Sequence, residues 1–129
     1  MGGIAMLATF VGGGAGASCR YTATRALARR YQGGFPLGTF AINVSGCFAL
    51  GLLASLLAAV HRDTRVATAL LATGFLGGYT TFSTYALEGV LLAEGKRGSL
   101  AALSLAGSVL AGLGAAALGA GLAALIVAA

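Results

Sequence analysis

Gly74-Phe75-Leu76-Gly77-Gly78-Tyr79-Thr80-Thr81-Phe82-Ser83-Thr84-Tyr85 decides how this chain is read. The stretch lies inside a run without charged side chains from Val66 to Leu87, long enough to span a bilayer. It nevertheless carries three glycines, four Thr/Ser hydroxyls and several aromatic rings. Glycines beside a Thr-Thr pair weaken helix at membrane depth. Backbone groups freed there must be buried in protein or line a polar cavity, because lipid cannot satisfy them. A helix interrupted near the bilayer midplane is a recurrent way to build an ion site. The spacing therefore predicts a helix broken at residues 77–80.

The rest of the chain supports a membrane setting. Of 129 residues, 58% are hydrophobic and 9% charged, against about 25% charged in soluble domains. Mean hydropathy is +0.93. Uncharged runs cover Met1 to Cys19, Tyr31 to Val60, Val66 to Leu87 and Gly98 to Ala129. A spanning helix needs roughly 20 apolar residues, so the reading is one all-α integral membrane domain with four transmembrane helices. The expected spans are 4–29, 36–60, 64–93 with the break, and 98–127. Barrel strands would alternate polar and apolar residues, and these runs do not. The isoelectric point near 9.9 does not indicate nucleic-acid binding, because the eight Lys/Arg spread over loop edges rather than forming a patch. Cys19 and Cys47 lack metal-type spacing and read as packing residues. Met1-Gly2-Gly3 lacks the basic start of a signal peptide, so the first run is read as helix one.

Polar residues recur at helical spacing inside these spans. Thr39, Asn43, Cys47, Gly51 and Ser55 form one stripe, Thr80, Thr84 and Glu88 a second, and Ser104, Ser108 and Gly112 a third. Small and hydroxyl residues also serve plain helix contact. Three stripes that include an Asn and a Glu favour a polar pathway. Arg20 and Glu88 are the candidate intramembrane charges, and such charges are functional hypotheses by default. Arg20 either draws anions into a vestibule or snorkels to the interface. Glu88 either orients pathway donors or marks the water boundary.

Gly38-Thr39-Phe40-Ala41-Ile42-Asn43-Val44-Ser45-Gly46, followed by Gly74 to Tyr85, resembles the small bacterial fluoride channels of the CrcB or Fluc family. The resemblance extends over essentially the whole chain, including the Arg20-Tyr21 pair. It implies an antiparallel dimer of four-helix subunits with two narrow fluoride pores, in the bacterial inner membrane. It also implies a structural sodium ion at the dimer centre, held by the backbone carbonyls of Gly77 and Thr80. By position, Asn43 matches the pore asparagine and Phe82 and Tyr85 the aromatic pair. Thr39, Ser83, Thr84, Ser104 and Ser108 would add hydroxyls, with Arg20 and Glu88 beside them. Tyr85 stands where the family usually has Phe, and its extra hydroxyl either helps bind fluoride or slows its passage.

These residue types suit a small, tightly hydrated anion. Asn offers two N–H donors, and Ser and Thr one O–H each. Aromatic edges are positive without carrying full charge, and conduction requires binding weak enough to release. The half-helix after Thr80 adds N–H groups and a favourable dipole. The alternative function is a small four-helix, proton-coupled multidrug exporter, but the first carboxylate in the chain is Asp63, in a loop. An enzyme is disfavoured because the one histidine is His61, also in a loop. Loops one and three carry Arg25, Arg29, Arg30, Lys96 and Arg97, against Arg62 and Arg65 in loop two. That bias is either too weak to fix insertion, which permits a homodimer, or it implies a paralogous partner inserted the other way.

Overall fold

A computed structural model describes residues 2–60 and 63–129. His61 and Arg62 of the expected second loop lie outside the described residues. The described chain is helical throughout, without a strand. Helix α1 covers Gly3–Arg30 and α2 covers Leu37–Ala59. Helix α3 covers residues 65–79: an α-helical turn at Arg65–Ala67, π-helix at Thr68–Leu76, and another α-helical turn at Gly77–Tyr79. Helix α4 is Phe82–Glu94 and α5 is Gly98–Ala128. The third of the four legs is thus split into α3 and α4. Helices α2 and α5 are each long and apolar enough to cross a membrane.

Short connections keep consecutive legs adjacent. Pro36 precedes α2, where its missing N–H deprives the helix of nothing. The turn after α4 is a Schellman motif. Arg97 N–H bonds to the Leu92 carbonyl at 2.9 Å and Lys96 N–H to the Ala93 carbonyl at 3.2 Å. Lys96, not a glycine, adopts the left-handed conformation there (φ 59°).

Two glycine seams hold the legs together. In the first, α1 lies against α3 backbone to backbone. A Cβ on Gly12 would approach Phe75 N to 2.9 Å, one on Gly16 would collide with the Phe75 carbonyl, and one on Gly78 would collide with that of Gly13. In the second, Gly51 of α2 faces the Ala116 carbonyl of α5, and Gly119 of α5 faces the Phe48 carbonyl. Such close approach is how helices associate when lipid supplies no hydrophobic drive. The core is correspondingly small-residue in character, with Ile42 its largest fully buried apolar side chain.

The interruption lies at Thr80 (φ −82°, ψ 163°) and Thr81 (φ −148°, ψ 123°), at the downstream edge of the expected 77–80 window. Gly77 remains helical (φ −62°, ψ −38°). The reason is local. Two β-branched threonines favour extended backbone, and Thr81 then caps α4, its Oγ1 accepting from Thr84 N–H at 3.2 Å. Gly77 and Gly78, with helical partners upstream, have no cause to leave the helix.

Candidate functional site

The break is held open by side chains from two other legs. Asn43, in the first third of α2, grips Thr81 with both ends of its amide. Its Nδ2 donates to the Thr81 carbonyl at 2.9 Å and its Oδ1 accepts from Thr81 N–H at 2.8 Å. Arg20, from α1, donates through Nη1 to the Thr80 carbonyl at 2.9 Å. The guanidinium therefore turns inward to the break instead of snorkelling. Thr80 Oγ1 folds back onto the Leu76 carbonyl at 2.9 Å, and Thr81 Oγ1 meets Thr84 Oγ1 at 3.0 Å. The Thr80 carbonyl and the Thr81 N–H, which a continuous helix would have paired, are thus satisfied by side chains, as burial away from water demands.

Two cavities meet at this point. One, of about 450 Å³, is lined by Asn43, Thr80, Thr81, Phe82, Tyr85 and Ser108, with apolar Leu50, Leu76 and Val109 among its walls. The other, of about 500 Å³, is lined by Arg20, Tyr21, Thr39, Thr81, Thr84 and Glu88. Thr81 belongs to both. The interruption therefore stands between a cavity with apolar and aromatic walls and a polar one that holds one charge of each sign. Phe82 and Tyr85 lie with ring centroids 5.6 Å apart at 46°. Phe82 is 78% exposed, while Tyr85 is half-buried and its hydroxyl donates to the Leu105 carbonyl at 2.9 Å.

The sequence-expected residues divide between these places. Asn43, Phe82, Tyr85, Ser108, Thr80 and Gly77 share the first cavity; Arg20, Thr39, Thr84 and Glu88 share the second. Ser83 is exposed at the start of α4, its Oγ 3.4 Å from Thr81 Oγ1, and lines neither. Ser104 is buried in α5 and also lines neither. Glu88 Oε2 is buried without a hydrogen-bond partner. Thr81 is the participant that spacing alone passed over, since it lies off the Thr80-Thr84-Glu88 stripe. Its position as the cap of α4 was the available signal.

The break also leaves acceptors. Thr81 N–H, which would close an α-turn onto the Gly77 carbonyl, goes to Asn43 instead. Gly77 is exposed, and a Cβ there would meet nothing within 4 Å. A helix C-terminus with a carbonyl freed in this way fits a hard cation such as sodium. The Thr80 carbonyl already accepts from Arg20 but keeps a second lone pair.

Residues 7–120 match the family described as CrcB-like protein, Camphor Resistance (CrcB). The chain is 45% identical over 115 residues to the fluoride-specific ion channel FluC 2 of Yersinia pseudotuberculosis, covering 88% of this chain and 91% of that one. It is 48% identical over 116 residues to the fluoride-specific ion channel FluC 1 of Brucella melitensis, covering 88% and 94%. It is 48% identical over 91 residues to the fluoride-specific ion channel FluC of Paracoccus denitrificans, covering 70% and 69%.

Proposed function

The chain belongs to the CrcB-like family, and from that premise we propose how this membrane protein works as a fluoride-specific ion channel. Fluoride moves passively. It enters a cell as its neutral weak acid, ionises at the higher internal pH, and is driven out by the negative-inside potential through an anion-selective path. The carrying observation is the capped break. Two cavities converge on Thr81, and hydroxyl, amide and aromatic-edge groups line them on either side. Such donors replace water around a small anion without the full positive charge that would trap it. Arg20, committed to the Thr80 carbonyl, offers an attractive potential at the polar cavity while remaining fixed. Asn43 orients the break and keeps one amide N–H beyond the one given to Thr81.

The finer reading is that two chains pair in antiparallel fashion as a multi-pass protein of the bacterial inner membrane. Exposure supports a partner over the break. Phe82 and the carbonyl-bearing turn at Gly77 stand uncovered, a state that lipid does not tolerate for free backbone. Carbonyls of Gly77 and Thr80 from two chains would hold a sodium ion there, whose positive charge would offset the negative ends of the α3 helices. The proton-coupled exporter has no support. No carboxylate precedes Asp63, and Asp63 is exposed and paired with Arg65 at 3.3 Å.

Flux through purified protein in liposomes tests the function. Fluoride should leave loaded vesicles when potential is released, and chloride should not substitute for it. Phe82→Ile should slow fluoride roughly two- to tenfold, if the ring edge is worth on the order of the ~0.5–1.5 kcal/mol of an aromatic pair. Equal fluoride and chloride efflux, or an unchanged rate in Phe82→Ile, would remove the assignment.

A further inference from the structure

Two residues of α4 one turn apart both meet Leu105 of α5. The Tyr85 hydroxyl donates to the Leu105 carbonyl at 2.9 Å. One turn on, Gly89 is buried against the Leu105 side chain, so close that an added Cβ would stand 2.9 Å from its Cγ. Residues four apart share a helix face, so main chain and side chain of Leu105 together receive the two contact points of α4. A phenol has one O–H donor, and that donor is committed to α5. The same ring lines the cavity with Asn43, Phe82 and Ser108. With that donor engaged, Tyr85 has no free O–H to offer the cavity. Phe82, its neighbour at 5.6 Å, is 78% exposed and has no comparable tether.

We propose that Tyr85 is a positioning residue for anion discrimination: its bond to the Leu105 carbonyl fixes the ring as a rigid wall of the path and withholds the hydroxyl from the anion. This inference rests on the channel reading and assigns a role within it. A fixed ring keeps the gap narrow enough to favour the smaller halide. A ring free to turn gives way to a larger one. The hydroxyl therefore narrows the path without acting as a ligand.

The test measures fluoride and chloride efflux in parallel from liposomes containing the native chain or Tyr85→Phe. Loss of the tether should raise chloride permeability relative to fluoride about fivefold, the population factor of one neutral hydrogen bond. A collapse of fluoride flux with chloride still at background would make the hydroxyl a ligand and overturn the proposal. Unchanged rates for both ions would overturn it as well. Raman spectroscopy of a chain in which Tyr21, Tyr31 and Tyr79 are replaced by phenylalanine, leaving Tyr85 as the one phenol, provides a readout separate from flux. The tyrosine doublet, which reports phenol hydrogen bonding, should not respond to added fluoride, and a fluoride-dependent change would sink the idea. A native chain that conducts no fluoride removes the channel reading instead, an outcome distinct from each of these.

Discussion

Asn43 gives the Thr81 N–H the acceptor that an unbroken helix would have provided at Gly77, and adds a donor to the Thr81 carbonyl, which as the cap of α4 already accepts a helical bond. Its removal leaves the Thr81 N–H without an acceptor in a partly buried place. Each unsatisfied group costs about 1–3 kcal/mol, so Asn43→Ala should lower the melting temperature of the purified protein as well as its fluoride flux. Asn43→Asp should separate the two effects. Its carboxylate still accepts from Thr81 N–H, but it opposes the Thr81 carbonyl and puts negative charge in the path of an anion. Flux in Asn43→Asp should then fall further than its stability. A variant of either kind with native melting and native flux would refute the clamp. Four-residue spacing made Asn43, Thr39, Ser108 and Glu88 legible as polar positions. It could not show what each one touches. The engagement of Arg20 with Thr80, sixty residues away, and of Tyr85 with Leu105 depends on how separate helices dock, which no local pattern encodes. Ser83, named through the resemblance, stands at the exposed start of α4, and Ser104, named through its stripe, is enclosed in the packing of α5.

At the scale of elements, the glycines of α1 and α3 matter as surfaces more than as hinges. Gly16 lets the Phe75 carbonyl approach the α1 backbone, whereas Gly14, two residues earlier, faces open space. Gly16→Ala should therefore force the helices apart and destabilise the fold by about 1–3 kcal/mol. Gly14→Ala should be neutral or stabilising, since alanine favours helix. Thermal unfolding in detergent distinguishes them, and equal melting of the two variants would dismiss the seam. The same consideration explains which elements were readable in advance. Charge-free runs marked α1, α2 and α5, because span length acts locally. The interruption was visible as a conflict of propensities, but its place was not. Threonine branching and the Thr81 cap moved it past the glycines to Thr80–Thr81. The π-helix at Thr68–Leu76 has no periodic signature, since its apolar run reads the same at either pitch. It runs along the backbone-to-backbone seam with α1, a contact that exists only after the legs have docked.

For the molecule as a whole, the proposed antiparallel pairing has to accommodate a five-to-two excess of Lys/Arg on loops one and three. Arg65, in the less basic second loop, is further offset by Asp63 at 3.3 Å, although so exposed a pair contributes little to stability. The positive-inside tendency therefore places loops one and three in the cytoplasm more often than not. An antiparallel homodimer needs both orientations, but not in equal amounts, because only the paired fraction has its break covered and its free carbonyls shielded. A cysteine at Thr64, introduced after replacing Cys19 and Cys47, should react with a membrane-impermeant maleimide from both sides of the membrane, more from outside than inside. Adding lysines to loop two should even the two signals and raise the yield of functional dimer. Reaction from one face alone would eliminate the homodimer. A second, oppositely inserted protein would then have to cover the exposed Phe82 and the open turn at Gly77.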